Sequence, residues 1–124
     1  MMNQEWTGPI LKPTSKKKRK KANGWKEKPD RYCAYCGAPY AERHEVFYGS
    51  SNRQISIDNG FQVDVCPAHH KELHEQQTPW AIRETKRLRQ HFQRGWEEKL
   101  IETGIRPEQA RELWIRLIGR SYAD

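Results

Sequence analysis

The sequence predicts a small α+β protein: a zinc-stapled strand–strand–helix core, two further helices, and a disordered basic arm ahead of them. Three observations predict it. The stretch from Cys33 to His74 holds all three cysteines and four of the five histidines, arranged as Cys33-x-x-Cys36 and Cys66-x-x-His69. Apolar residues alternate with polar ones in Phe61-Gln62-Val63-Asp64-Val65, then take helical spacing after Pro79 and after Pro107. Residues 12–31 carry ten Lys or Arg against Glu27 and Asp30.

Composition supports the need for a metal clip. Hydrophobic residues make up 35% of the 124 and charged ones 31%, which is lean for a self-sufficient core. Three cysteines cannot all pair as disulfides within one chain, but with one histidine they complete a tetrahedral zinc shell, so a reducing compartment is expected. No apolar run approaches the length of a membrane span, and the N-terminus lacks the apolar core of a secretory signal. A soluble, intracellular protein is the expectation. The whole chain has a formal net charge of +7, and residues 12–31 alone account for +8. Positive charge is therefore gathered in one arm, which suits attraction to phosphates without reading of bases.

In chain order, residues 1–31 form the arm, with the run Lys16, Lys17, Lys18, Arg19, Lys20 and Lys21 as its expected nucleic-acid contacts. The same run resembles a nuclear import signal, which would apply only in a eukaryotic cell. Trp6 and Trp25 are available to pack on the domain or to stack on bases. Residues 32–77 are the metal-binding core and residues 78–124 a helical extension. Gly37, directly after Cys36, permits the tight backbone of a metal knuckle. Val46-Phe47-Tyr48 reads as a short strand ended by Gly49, and Ser50 to Gly60 as a long polar loop. Phe61 to Val65 is a half-buried strand, and Cys66-Pro67 opens a helix carrying His69, His70, Leu73 and His74. Thr78-Pro79 caps the next helix, striped with Leu88, Phe92, Trp96 and Leu100 and ended by Thr103-Gly104. Arg106-Pro107 starts the last, with Ala110, Leu113, Trp114, Leu117 and Ile118 on one face and Gly119 as terminator.

The ligand sets differ in kind. Cys33, Cys36, Cys66 and His69 form a closed shell whose task is folding, because four protein ligands leave no open position. His70 and His74 are spaced to share a helix face, and anchoring His69 aims the following turn at a fixed place. With His44 and Glu45 alongside, two or three imidazoles with open positions suit a divalent metal acting on a phosphate oxygen while a neighbouring base activates water.

At these residues the chain resembles the HNH, or ββα-metal (His-Me finger), nuclease superfamily in its zinc-clipped form. The motifs are His44-Glu45-Val46-Phe47-Tyr48-Gly49, Asn52-Arg53, Cys66-Pro67-Ala68-His69-His70 and Ile118-Gly119-Arg120-Ser121-Tyr122. They are similar to small phage and prophage HNH proteins, some of them linked to recombination, and the resemblance covers residues 32–122. It implies a metal-dependent endonuclease acting on DNA with little sequence preference, with structural Zn²⁺ and a catalytic Mg²⁺, Mn²⁺, Ni²⁺ or Zn²⁺. It also implies DNA as partner, no membrane, a bacterial or phage-infected cytoplasm, and room for a recombinase filament or phage packaging protein. Position by position, His44, His70 and His74 correspond to catalytic-metal ligands and Glu45 to the general base. In the alternative register His44 is the base, and Glu45, His70 and His74 hold the metal. Arg53 would hold a backbone phosphate. The family's base is usually His, and Phe61 stands where its central Asn falls, so Asn52 or Asn59 would have to orient the base. These two departures sustain a rival expectation, a zinc-containing DNA-binding module with weak or no turnover.

Overall fold

The computed structural model describes residues 27–123. The lysine run, Trp6 and Trp25 therefore lie outside the described residues. A two-stranded antiparallel sheet and four helices make up the architecture: β1 (Glu42–Glu45), α1 (Asn52–Asn59), β2 (Gln62–Val65), α2 (Pro67–Glu75), α3 (Pro79–Glu102) and α4 (Pro107–Ile118). The α+β expectation holds at this level. Among the described residues no helix is long and apolar enough to cross a membrane.

The sheet pairs Glu42 with Val65, Arg43 with Asp64, His44 with Val63 and Glu45 with Gln62. Opposite charges face each other in that register, with Arg43 Nε 2.8 Å from Asp64. The first strand thus lies earlier than residues 46–48, a correction to the sequence reading. The reason lies in Phe47. Its amide donates to Ser56 Oγ at 3.0 Å, and its carbonyl accepts from the same hydroxyl at 2.6 Å. With both backbone groups satisfied by one side chain, Phe47 has nothing to offer a ladder. Val46 and Phe47 are apolar because they enter the core, each 1% exposed.

Residues 50–60 are not a loop. They contain α1, a mostly polar helix whose sequence NRQISIDN has no apolar stripe. It is held by contacts that are invisible to periodicity. Buried Ser56 binds Phe47, Asn52 Nδ2 donates to Ile118 O at 3.0 Å, and Gly60 closes the helix at φ 73°.

The other three helices start where proline predicts. Cys66 caps α2, its sulfur accepting from the His69 amide, and Thr78 caps α3, its hydroxyl accepting from the Ala81 amide. Gly119, at φ 112°, ends α4. One apolar cluster gathers Val46, Phe47, Phe61, Leu88, Trp114 and Ile118, with Phe92, Trp96 and Leu117 packed against it. A second gathers Cys33, Val65, Cys66 and Leu73, with Tyr35 and Trp80 against it, and Val63 touches both. The α3 stripe is less uniform than expected, since Gln93 and Glu97 are buried between its apolar residues. Leu113 departs from its predicted role, being 38% exposed, because Ala110, Trp114 and Ile118 already fill the side of α4 that meets the core.

Candidate metal centres

The knuckle at residues 33–38 is closed by Cys33 N to Ala38 O at 2.8 Å and Gly37 N to Cys33 O at 2.8 Å, with Gly37 at φ 76°. Ala34 N reaches Asp64 O at 2.8 Å, which docks the knuckle on β2 beside Cys66. The three sulfurs and a His69 nitrogen consequently lie within 4.8 Å of one another. Cys36 Sγ is 3.8 Å from Cys66 Sγ, and His69 Nδ1 is 3.5 Å from Cys33 Sγ and 3.2 Å from Cys66 Sγ. A tetrahedron with zinc bonds of about 2.0–2.3 Å has edges of about 3.3–3.8 Å, so this Cys3His set fits zinc. The cysteines are free thiols rather than a disulfide. Burial pushes the Cys33 thiol up, but amide donation from Cys66, Tyr35 and Cys36 outweighs it and holds the group at about 6. The His69 amide, the largest influence on Cys66, draws that thiol down as well. Cys36 shifts the other way: the Ala38 amide draws it down, but contact with Cys33, desolvation and contact with Cys66 together raise it, so protons compete with a metal at that ligand.

Tyr35 ties this centre to α3. Its ring meets Trp80 edge-on at 5.0 Å, and its hydroxyl donates to Glu84 Oε2 at 2.7 Å. Glu84 in turn pairs with Arg87.

The second cluster is His44, His70 and His74, whose ligand atoms also lie within 4.8 Å of one another. Ring centroids are 5.2 Å apart for His44 and His70, 4.9 Å for His44 and His74, and 4.8 Å for His70 and His74. The i, i+4 spacing on α2 supplies one side and β1 the other. His44 is 1% exposed, and its Nδ1 is buried without a hydrogen-bond partner. A buried imidazole nitrogen left unpaired is costly, and coordination would satisfy it, so the donor set fits a metal. Burial pushes His44 down to about 3, with His74, His70 and Arg89 acting the same way, so the imidazole is neutral and fit to ligate. His74 is lowered too, by burial first and then by His70, with Glu45 opposing.

Glu42, which sequence reasoning missed, completes the arrangement. Its Oε1 lies 2.7 Å from His70 Nδ1. Glu42 and His44 alternate along β1 and so share a face. The i, i+2 spacing is in the sequence, but it carries this meaning only with the strand at residues 42–45 rather than 46–48. Glu45 points from the end of the same strand, with its carboxylate 3.4 Å from Arg53 Nε and 3.3 Å from Gln62 Nε2. Arg53 is exposed, as a phosphate contact would need to be, but it is engaged with Glu45. The Asn52 amide is directed at Ile118, and that of Asn59 at Ile55 O at 2.9 Å. Phe61 lies in the aromatic core. Neither asparagine side chain makes a hydrogen bond to the imidazoles. Comparison of the chain with protein-family models, with curated proteins and with solved structures finds no match.

Proposed function

We propose that this protein is a metal-dependent DNA endonuclease of the HNH type. The observation that carries the reading is the convergence of His44, His70 and His74 on one point, beside a separate and complete Cys3His shell. A folding metal and a reactive one ask for different donors, and the two clusters divide along that line. A divalent metal in the three-histidine cluster would supply Lewis acidity toward a phosphate oxygen.

The chain's own residues would then act as follows. His44, His70 and His74 present their imidazoles, and Glu42 orients His70 through the hydrogen bond at its Nδ1. Glu45, adjacent to His44, accepts the proton of the attacking water. The inclusion of His44 rather than Glu45 in the converging set favours the register in which Glu45 is the base. The arm and Arg53 hold backbone phosphates, a mode with little sequence preference.

One observation favours the second reading, a DNA-binding module without turnover. Glu45 is engaged by both Arg53 and Gln62, contacts that its carboxylate would have to give up to meet an attacking water.

Metal counting beside plasmid nicking tests the choice. Full-length protein purified without chelator, offered Mg²⁺, Mn²⁺, Ni²⁺ or Zn²⁺, is expected to take up a second metal equivalent and nick supercoiled DNA. His74→Ala should remove that equivalent, keep the structural zinc and stop nicking. Glu45→Gln should keep both metals while the rate falls about 10²–10⁴-fold. If Glu45→Gln loses the second metal instead, the alternative register is correct. Uptake of one metal only, with no nicking of any DNA form by any of the four ions, rejects the nuclease reading.

A further inference from the structure

The tail at residues 118–122 belongs to neither metal cluster, yet a buried polar network fixes it. Gln93, fully buried on α3, accepts from the amides of Tyr122 at 2.7 Å and Ala123 at 3.1 Å, and donates to Ser121 Oγ at 3.0 Å. Trp114 Nε1 donates to Arg120 O at 3.0 Å, and Gln90 Nε2 to Tyr122 O at 3.0 Å. The effect of this network is to set the Tyr122 ring against Phe47 at 5.5 Å and to bring two guanidiniums onto it. Arg89 Cζ lies 5.2 Å from the ring centroid and Arg120 Cζ 5.1 Å.

Contact with the ring holds each guanidinium in place without neutralising its charge, which stays available to an anion. Among the described residues Arg89 and Arg120, like Arg83, Arg94 and Arg116, form no ion pair with a carboxylate, and of these five only Arg89 and Arg120 lie over Tyr122. Arg89 is part-buried and held from several sides. Its Nε donates to Val46 O at 3.0 Å, and its guanidinium also lies over Tyr48 at 5.2 Å and Phe47 at 5.7 Å. An arginine oriented by ring contacts and one Nε bond keeps its terminal nitrogens for bidentate contact with a phosphate. The patch adjoins the three-histidine cluster through Tyr48, whose ring is 5.1 Å from His74 and 6.1 Å from His44.

We infer that Arg89 and Arg120, mounted on Tyr122, bind the phosphodiester backbone of a nucleic-acid strand as it leads to the histidine cluster. The inference rests on the reading that this protein acts on nucleic acid, and deepens it by giving the tail a task. Free phosphate offers the same oxygens, but two cations spread over one ring beside a deeper cluster suit a continuous strand.

The test uses the full chain, zinc-loaded and without added divalent ion, and a labelled DNA duplex titrated at several salt concentrations. Arg120→Gln and Arg89→Gln are each expected to weaken binding and to reduce the slope of log K against log salt by about 0.9. Among the described residues Arg120 makes no side-chain hydrogen bond, so Arg120→Gln should keep the wild-type melting temperature and metal content even if Arg89→Gln does not fold. Affinity and slope unchanged in Arg120→Gln overturn the inference. In a parallel arm, inorganic phosphate at constant ionic strength should displace DNA no better than sulfate. Specific phosphate binding that Arg120→Gln abolishes would mark a free-anion site and also overturn it. The nicking assay is separate: a wild type that nicks while both variants keep its salt slope overturns this inference alone. A wild type that never nicks, with slopes reduced in the variants, overturns the nuclease reading alone.

Discussion

Glu42 Oε1 lies 2.7 Å from His70 Nδ1, so a carboxylate on β1 holds an imidazole on α2 by that ring nitrogen. With Nδ1 engaged, Nε2 is the nitrogen available for a metal. A carboxylate in this relation fixes the tautomer and the ring orientation of the ligand.

Glu42→Gln should therefore weaken metal binding at the histidine cluster about 10–100-fold and leave the Cys3His centre untouched. Competition titration with Ni²⁺ or Zn²⁺ against a chromophoric chelator reads both sites. Equal affinity in variant and wild type would show that the contact has no bearing on the metal.

Cys36→Ala removes one of four ligands from a shell that stands in for missing core. Structural zinc contributes ~10–16 kcal/mol in small peptides, well beyond a domain's ordinary margin. The expected outcome is protein without that zinc, lacking the Cys33 N to Ala38 O turn and failing to melt cooperatively. Elemental analysis beside thermal melting checks it, and a zinc-free protein with a normal transition contradicts it.

Ser56→Ala tests what holds α1. Its hydroxyl is the partner of both the Phe47 amide and the Phe47 carbonyl, in a site with no exposure. Leaving those groups unpaired should cost about 1–3 kcal/mol. Urea unfolding should show a lower midpoint with an unchanged slope, whereas a midpoint equal to wild type would mean that α1 is held otherwise.

The Tyr35–Glu84–Arg87 contact predicts a pH dependence. The hydrogen bond from Arg87 is the largest influence on Glu84; burial opposes it, Tyr35 assists it, and the carboxyl sits below its ordinary value. A carboxyl with a lowered folded-state pKa binds fewer protons than in the unfolded chain, so stability rises with pH across that window. The stability advantage of wild type over Glu84→Gln should thus be full above about pH 5 and shrink as pH falls through and below about 4.3. Denaturant midpoints for both proteins across that range give the answer. A difference that stays constant with pH would locate the stabilisation in packing rather than in charge.

The sequence by itself determined the parts whose signals are local. Cys33-x-x-Cys36 and Cys66-x-x-His69 each bend a few residues around their own donors, and the structure brings both pairs together. Pro67, Pro79 and Pro107 opened helices where a missing amide costs nothing, and Gly119 ended one where only a left-handed residue fits easily. The pairing of His70 with His74 followed from helix spacing alone. What the tertiary structure decided is whatever depends on a partner remote in the chain. The polar residues of α1 carry no periodic signal, and its helix is secured by Phe47 and Ile118. Val46 and Phe47 looked like a strand because they are apolar, but Ser56 takes up the backbone groups of Phe47 and the ladder forms at residues 42–45 instead. Glu42 and Gln93 read as surface polar residues until His70 and the amides of residues 122 and 123 arrive beside them. Propensity and capping act within a turn or two of the chain, while a buried hydrogen bond takes its value from the group that folding brings to it.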